Sequence, residues 1–166
     1  MKSFREMRET TPVTEKDFGR CEYMQHVIRY TLDSMMDEYK RTHDDTLDLM
    51  DEYRRLEQAI KRQIAIDIVD SIEIEAVSEK QRAYARDVVI DMFMMVFTSN
   101  IRPGRDMAIY TYAREHHTAR EWINAKGVDA QSVIDAMATE YFQTLKDEKR
   151  RTGSIYEYGK NFWANV

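Results

Sequence analysis

Glycine and proline are nearly missing from this chain. Its 166 residues hold five glycines and two prolines, and neither type occurs between Arg20 and Arg102. Folds built from hairpins need turn residues every few positions, so a gap of that length excludes them and favours long helices. Cysteine is scarcer still. Cys21 stands alone, which excludes an intrachain disulfide framework and a cysteine-cluster zinc site, and suits a reducing compartment. No apolar run nears the roughly 18–20 residues that a membrane span needs, and the polar N-terminus holds no signal-peptide core. Basic charge is also short: the formal net charge is -5, and the runs Arg5–Arg8 and Lys146–Arg151 are too brief for a nucleic-acid-coating surface. The chain reads as cytoplasmic, with neither a membrane nor a nucleic acid as partner.

What is present is apolar and charged in ordinary globular proportion, 43% and 33%, enough for one domain with its own core. The spacing predicts an all-α protein, a single bundle of about five helices followed by an aromatic tail. Residues 1–13 read as a flexible N-terminal segment, 14–153 as the bundle and 154–166 as a tail docking on the body or on another subunit. Thr14 and Asp17 form a capping box for a helix from about Glu15 to Arg41. Asp44 or Asp45 caps a second helix, which Tyr53, Leu56, Ile60 and Ile64 carry forward. Ser78 with Gln81 opens a third, ending near Ser99. Between them, Ile64 to Val77 alternates partly with period two, as a strand does, but no turn residue separates it from the preceding helix, so helix is favoured. A helix from about Asp106 to Lys126 ends on Gly127. A last one, about Ala130 to Arg151, precedes the tail with Tyr156, Tyr158, Phe162 and Trp163.

The chemistry-bearing feature is acid inside apolar sequence. Asp67, Asp70, Glu73 and Glu75 stand within Ile64–Val77, while Asp87 and Asp91 stand within Ala83–Phe97. An unpaired carboxylate in a buried setting costs several kcal/mol, so each needs a partner, a proton or a metal ion. If the second and third helices turn back around Ser78–Lys80, Asp91 falls opposite Asp67 to Asp70, and Asp87 opposite Asp70 to Glu73. Asp67, Asp70 and Glu73 follow one another at i, i+3 and Asp87 and Asp91 at i, i+4, so four acids can meet in one layer. Bare carboxylates about 5 Å apart repel by about 3 kcal/mol at an effective dielectric of 20. Such a layer calls for cations, and all-oxygen ligands favour Mg²⁺ or Mn²⁺. An ion held this way grips a polyphosphate and activates water. The competing reading pairs Asp67 and Asp70 with Lys61, Arg62 or Arg86 and sends Glu73 and Glu75 to solvent.

These residues resemble a family, the all-α nucleoside triphosphate pyrophosphatases that include MazG-like enzymes, dimeric dUTPases and phage dCTP pyrophosphatases. Their signature pairs acids at i, i+3 on one helix with E-x-x-D and an apolar run on the next. Asp-Ile-Val-Asp-Ser-Ile-Glu (67–73) stands at the first place and Val-Val-Ile-Asp-Met-Phe-Met-Met-Val-Phe (88–97) at the second. Val88 departs from the pattern, occupying the place of the first acid of E-x-x-D, and the segment Thr98 to Lys126 is longer than the family's link. The resemblance implies that Asp70, Glu73 and Asp91 hold Mg²⁺ and are catalytic, with Asp67 and Asp87 as further metal ligands. Gly-Val-Asp-Ala-Gln-Ser-Val-Ile (127–134) leads to Lys146, Lys149, Arg150, Arg151 and Tyr156, which by the same resemblance approach the phosphates. The implied reaction is attack of water on a nucleoside triphosphate, releasing a monophosphate and pyrophosphate.

The histidines offer less. Glu22 with His26 and His117 with Glu121 lie at i, i+4, but no Glu-x-x-His of a di-iron bundle occurs. His43-Asp44 is better explained as a helix boundary, and no phosphate-binding glycine loop is present. The sequence therefore supports a Mg²⁺-dependent nucleoside triphosphate pyrophosphohydrolase with a deoxynucleoside triphosphate as the expected substrate. It is expected to dimerise or assemble further because a short bundle exposes more helix faces than it covers. The rival is a non-enzymatic helical adaptor or inhibitor whose internal acids form ion pairs.

Overall fold

The computed structural model describes residues 1–14, 23–43, 48–98, 104–125, 143, 146–147, 151 and 154–166. Seven helices are described: α1 (Phe4–Thr10), α2 (Tyr23–Thr42), α3 (Leu49–Asp70), α4 (Glu79–Thr98), α5 (Arg105–Glu115), α6 (Ala119–Ala125) and α7 (Ile155–Trp163). The all-α bundle read from the sequence is what the chain forms. Among the described residues no helix is long and apolar enough to cross a membrane.

The N-terminal segment is not a loose end. Ser3 and Glu6 close a capping box, with Ser3 Oγ accepting from Glu6 N at 3.3 Å and Glu6 Oε2 accepting from Ser3 N at 2.7 Å. The helix so started drives Phe4 and Met7 into the core. The expectation of a flexible 1–13 segment is corrected by that packing: two large apolar side chains, three apart, leave water together.

α2 buries Tyr23, Val27 and Thr31 beside Met24, Ile28 and Leu32, a stripe at helical spacing. α3 buries Leu56, Ile60, Ile64, Ala65, Ile68 and Val69. α3 lies between α2 and α4, α1 packs on α3 and α2, and α4 packs also on α5 and α6. The start of the first long helix with Asp17 of its capping box, the caps Asp44 and Asp45, Gly127 and nearly all of the last long helix lie outside the described residues.

Between α3 and α4 the sequence's ambiguity resolves in both directions. α3 runs to Asp70, and beyond it Ile72, whose amide still donates to Val69 O at 3.0 Å, and Ile74 are buried in the core. Glu75 makes an isolated parallel bridge to Thr118. Its amide donates to His117 O at 2.8 Å, and its carbonyl accepts from Ala119 N at 2.7 Å. The period-two run was therefore helix in its first half and strand-like in its second.

The predicted helix from Asp106 to Lys126 is broken at His116–Thr118. Thr118 restarts it: Glu121 Oε2 accepts from Thr118 Oγ1 at 2.5 Å and from Thr118 N at 3.2 Å. Trp122 pins the break by donating its indole N–H to His116 O at 2.7 Å. The strand-like pairing with Glu75 needs this interruption.

The aromatic tail docks as α7 along α2. Ser154 caps it, and Tyr156, Gly159 and Trp163 form its buried face. A Cβ added to Gly159 would meet Tyr23 Cβ at 3.3 Å, so the absence of a side chain there lets the two helices approach closely. Trp163 is fully buried, with its ring 5.9 Å from Phe4, 5.4 Å from Tyr110 and 5.0 Å from Phe162.

Candidate functional site

The five acids expected to share a metal ion are found in four different settings. Asp67, part-buried, ends α1's search for an acceptor: its Oδ2 takes the Phe4 amide at 2.6 Å and its Oδ1 takes Gln63 Nε2 at 2.8 Å. The first amides of a helix have no partner within it, and Asp67 supplies one from α3. Asp70 is clasped by Arg86 of α4, whose Nε and Nη2 lie 2.8 and 2.6 Å from Oδ1. Glu73 is exposed on the α3–α4 connection, and Asp87 and Asp91 are exposed on α4.

The expected convergence is thus corrected by rotation. Arg86 meeting Asp70 places the two helices at the anticipated level. Yet α4 turns Ala85, Val89, Met92, Phe93 and Val96 inward. Residues two positions from Ala85 and Val89 point to the far side of a helix with 100° per residue, so Asp87 and Asp91 face out. Among the described residues no three His, Cys, Asp or Glu side chains come together to hold a metal.

Of the residues expected at phosphates, Lys146 and Arg151 are exposed, and Lys149 and Arg150 lie outside the described residues. Tyr156 is a core residue, 2% exposed. Its hydroxyl lies 2.6 Å from His26 Nδ1 and its ring meets Tyr23 edge-on at 5.5 Å, so it packs between α7 and α2.

Two clefts lie on either side of the Glu75–Thr118 bridge. One, of about 320 Å³, is polar and is lined by Ser71, Ile72, Glu73, Glu75, Arg114 and His117. Glu75 Oε1 lies 3.2 Å from His117 Nε2 there. The other, of about 610 Å³, is walled by Ala76, Val77, Ala119 and Ile123 with Glu75 and Arg120 at its edge. Val77 is 97% exposed, an aliphatic side chain standing in water. Two carboxylates, a guanidinium and an imidazole can grip a ligand of mixed charge. They make no acid-only cage.

α4 carries a second surface. Tyr84, Val88, Asp91 and Met95 follow one another at four, three and four residues, the spacing of a helix-packing seam. Tyr84 and Met95 are large and exposed, Val88 is half-buried, and Asp87 flanks the seam. The apolar residues on α4's outer side explain why its sequence looked buried all round.

One buried acid was not singled out. Asp106 in the first turn of α5 is enclosed, and burial pushes its carboxyl up to about 6. The backbone amides of Met107 and Asp106 and the Trp163 indole N–H act in the opposite sense. In sequence, an aspartate just after Pro103-Gly104 looks like a helix-start residue, and nothing local tells that a tryptophan 57 positions on will cover it.

No protein-family model, curated protein or solved structure matches this chain.

Proposed function

We propose that this chain is a non-enzymatic helical adaptor whose outer α4 face receives a helix of a partner protein. The observation that carries the reading is the divergence of the acids. Asp67 and Asp70 are engaged by Phe4, Gln63 and Arg86, while Asp87 and Asp91 accompany Tyr84, Val88 and Met95 outward. Methionine and tyrosine at such a seam give adaptable apolar contact, and acids beside them select partners of opposite charge. The partner helix would carry an apolar stripe with lysine or arginine opposite Asp87 and Asp91. Antiparallel pairing with α4 of a second copy would set these acids against their own counterparts, so self-association through this face is disfavoured. The single cysteine supports a reducing, cytoplasmic setting.

The test uses a labelled synthetic helix with leucine at seam spacing and lysine beside it. Salt-sensitive binding to the native chain should be lost in Asp87→Lys/Asp91→Lys. Equal binding to both proteins, or none to either, would reject the adaptor reading.

The nucleoside triphosphate pyrophosphohydrolase reading rests on the 67–73 and 88–97 motifs. It requires Asp67, Asp70, Glu73, Asp87 and Asp91 to gather around Mg²⁺ or Mn²⁺, for which Arg86 would have to release Asp70 and α4 would have to rotate. It is the second reading, and a turnover screen decides it.

A further inference from the structure

We propose that Asp106 and Trp163 form a pH-responsive latch that holds α7 on α1 and α5, tight when the carboxyl carries a proton and loosened when it ionises. Three observations meet at this pair. Asp106 is 4% exposed, and its Oδ2 accepts the Trp163 indole N–H at 3.1 Å. Its other oxygen, Oδ1, is enclosed and takes no hydrogen bond of normal geometry, although the amides of Asp106 and Met107 are near. Trp163 is the residue by which the end of α7 reaches both other helices, through Phe4 of α1 and Tyr110 of α5.

A neutral carboxyl costs less in that aromatic enclosure than a carboxylate, because no charge has to be desolvated while Oδ2 still accepts the indole N–H. Among the described residues a carboxylate there has one side-chain donor, and its charge sits on an enclosed Oδ1, so ionisation favours any opening that lets water reach Oδ1. α7 is the short element that can lift to admit it.

Among the described residues, these charged and titratable groups stand on the elements around the pair. From α1, Arg8 donates to the carbonyls of Trp163 and Val166, the latter at 2.6 Å, and so holds the backbone rather than the carboxyl. On α5, Arg105 adjoins Asp106, and Arg114 lies over the Tyr110 ring at 5.7 Å. On α7, Lys160 is exposed. From α2, His26 Nδ1 lies 2.6 Å from the Tyr156 hydroxyl of α7. On α4, Arg86 is engaged by Asp70, and Asp87 and Asp91 face outward. A carboxyl moved from 3.8 to about 6 in the closed state makes opening about tenfold more frequent at pH 7.5 than at pH 5.

Hydrogen–deuterium exchange of the full chain reads this directly, after correction for the intrinsic pH dependence of exchange. Protection of the 155–163 amides should fall about tenfold from pH 5 to pH 7.5, while protection of α3 stays constant. Asp106→Asn, neutral and of the same shape, should make α7 protection independent of pH, and His26→Gln should leave the dependence in place. The latch is overturned if Asp106→Asn keeps the native dependence, if His26→Gln abolishes it, if α3 shifts in parallel with α7, or if the native chain shows no change.

Discussion

Arg86 on α4 brings two nitrogens, at 2.8 and 2.6 Å, onto a single oxygen of Asp70 at the end of α3. The pair sets the level at which the two helices meet and occupies the acid that a metal would most need. Both side chains are partly in water, 34% and 54% exposed, so solvent screens their attraction. Arg86→Ala should therefore lower stability by less than about 1 kcal/mol. A urea titration followed by circular dichroism checks this. A larger loss would mean that the ion pair organises the helix packing.

Asp67 carries more weight because it bridges elements 63 residues apart, accepting the Phe4 amide at 2.6 Å. Asp67→Ala leaves that amide without its acceptor and frees the end of α1, at a cost of about 1–2 kcal/mol. Asp67→Asn keeps one acceptor oxygen and should cost less. Amide exchange at residues 4–10 should rise in the alanine variant ahead of any change in α3.

Trp163 is the apolar anchor of the C-terminal helix. Trp163→Ala removes a fully buried indole packed on Phe4, Tyr110 and Phe162, and should cost about 3–5 kcal/mol. Trp163→Phe restores much of the ring but not the N–H. It leaves the Asp106 carboxyl without its side-chain donor, so it should be intermediate. Thermal melts of the three proteins should rank in that order.

The sign of the pH dependence follows from Asp106. Burial raises its carboxyl from 3.8 to about 6, so the folded chain binds the proton more tightly than the unfolded one. The stability this group contributes is fully present below 3.8 and is lost as pH rises through about 6. The change is of order 2–3 kcal/mol. Denaturant midpoints measured between pH 4.5 and 7.5 should fall with pH in the native chain and fall less in Asp106→Asn.

The helical architecture was legible because Gly and Pro are absent over so long a stretch and because the stripe Leu56, Ile60 and Ile64 holds its period. The start of α4 was legible too: Gln81 N donates to Ser78 Oγ at 3.3 Å, as the Ser78–Gln81 signal implied. Phe4 and Met7 were passed over because the segment is short and its Ser3–Glu6 box sits among charges. The break at Thr118 was signalled by Thr-x-x-Glu, but the apolar pattern on either side masked it. The acids misled for a different reason. Val88, Met94 and Met95 make α4 apolar on several sides, so its inner and outer faces cannot be told apart by period, and a rotation decides whether Asp87 and Asp91 meet α3 or solvent. That choice is made by packing against α5 and α6, elements remote in sequence.

The central claim is that these acids serve the fold and its outer surface rather than a shared ion. Its most direct test is pyrophosphate release over all common nucleoside and deoxynucleoside triphosphates with millimolar Mg²⁺ or Mn²⁺, run beside thermal melts with the same ions, on the native chain and Asp91→Asn. The account predicts no turnover and the same melting temperature with and without metal in both proteins. Pyrophosphate release, or a saturable metal-induced rise in melting temperature, that is present in the native chain and lost in Asp91→Asn would contradict it.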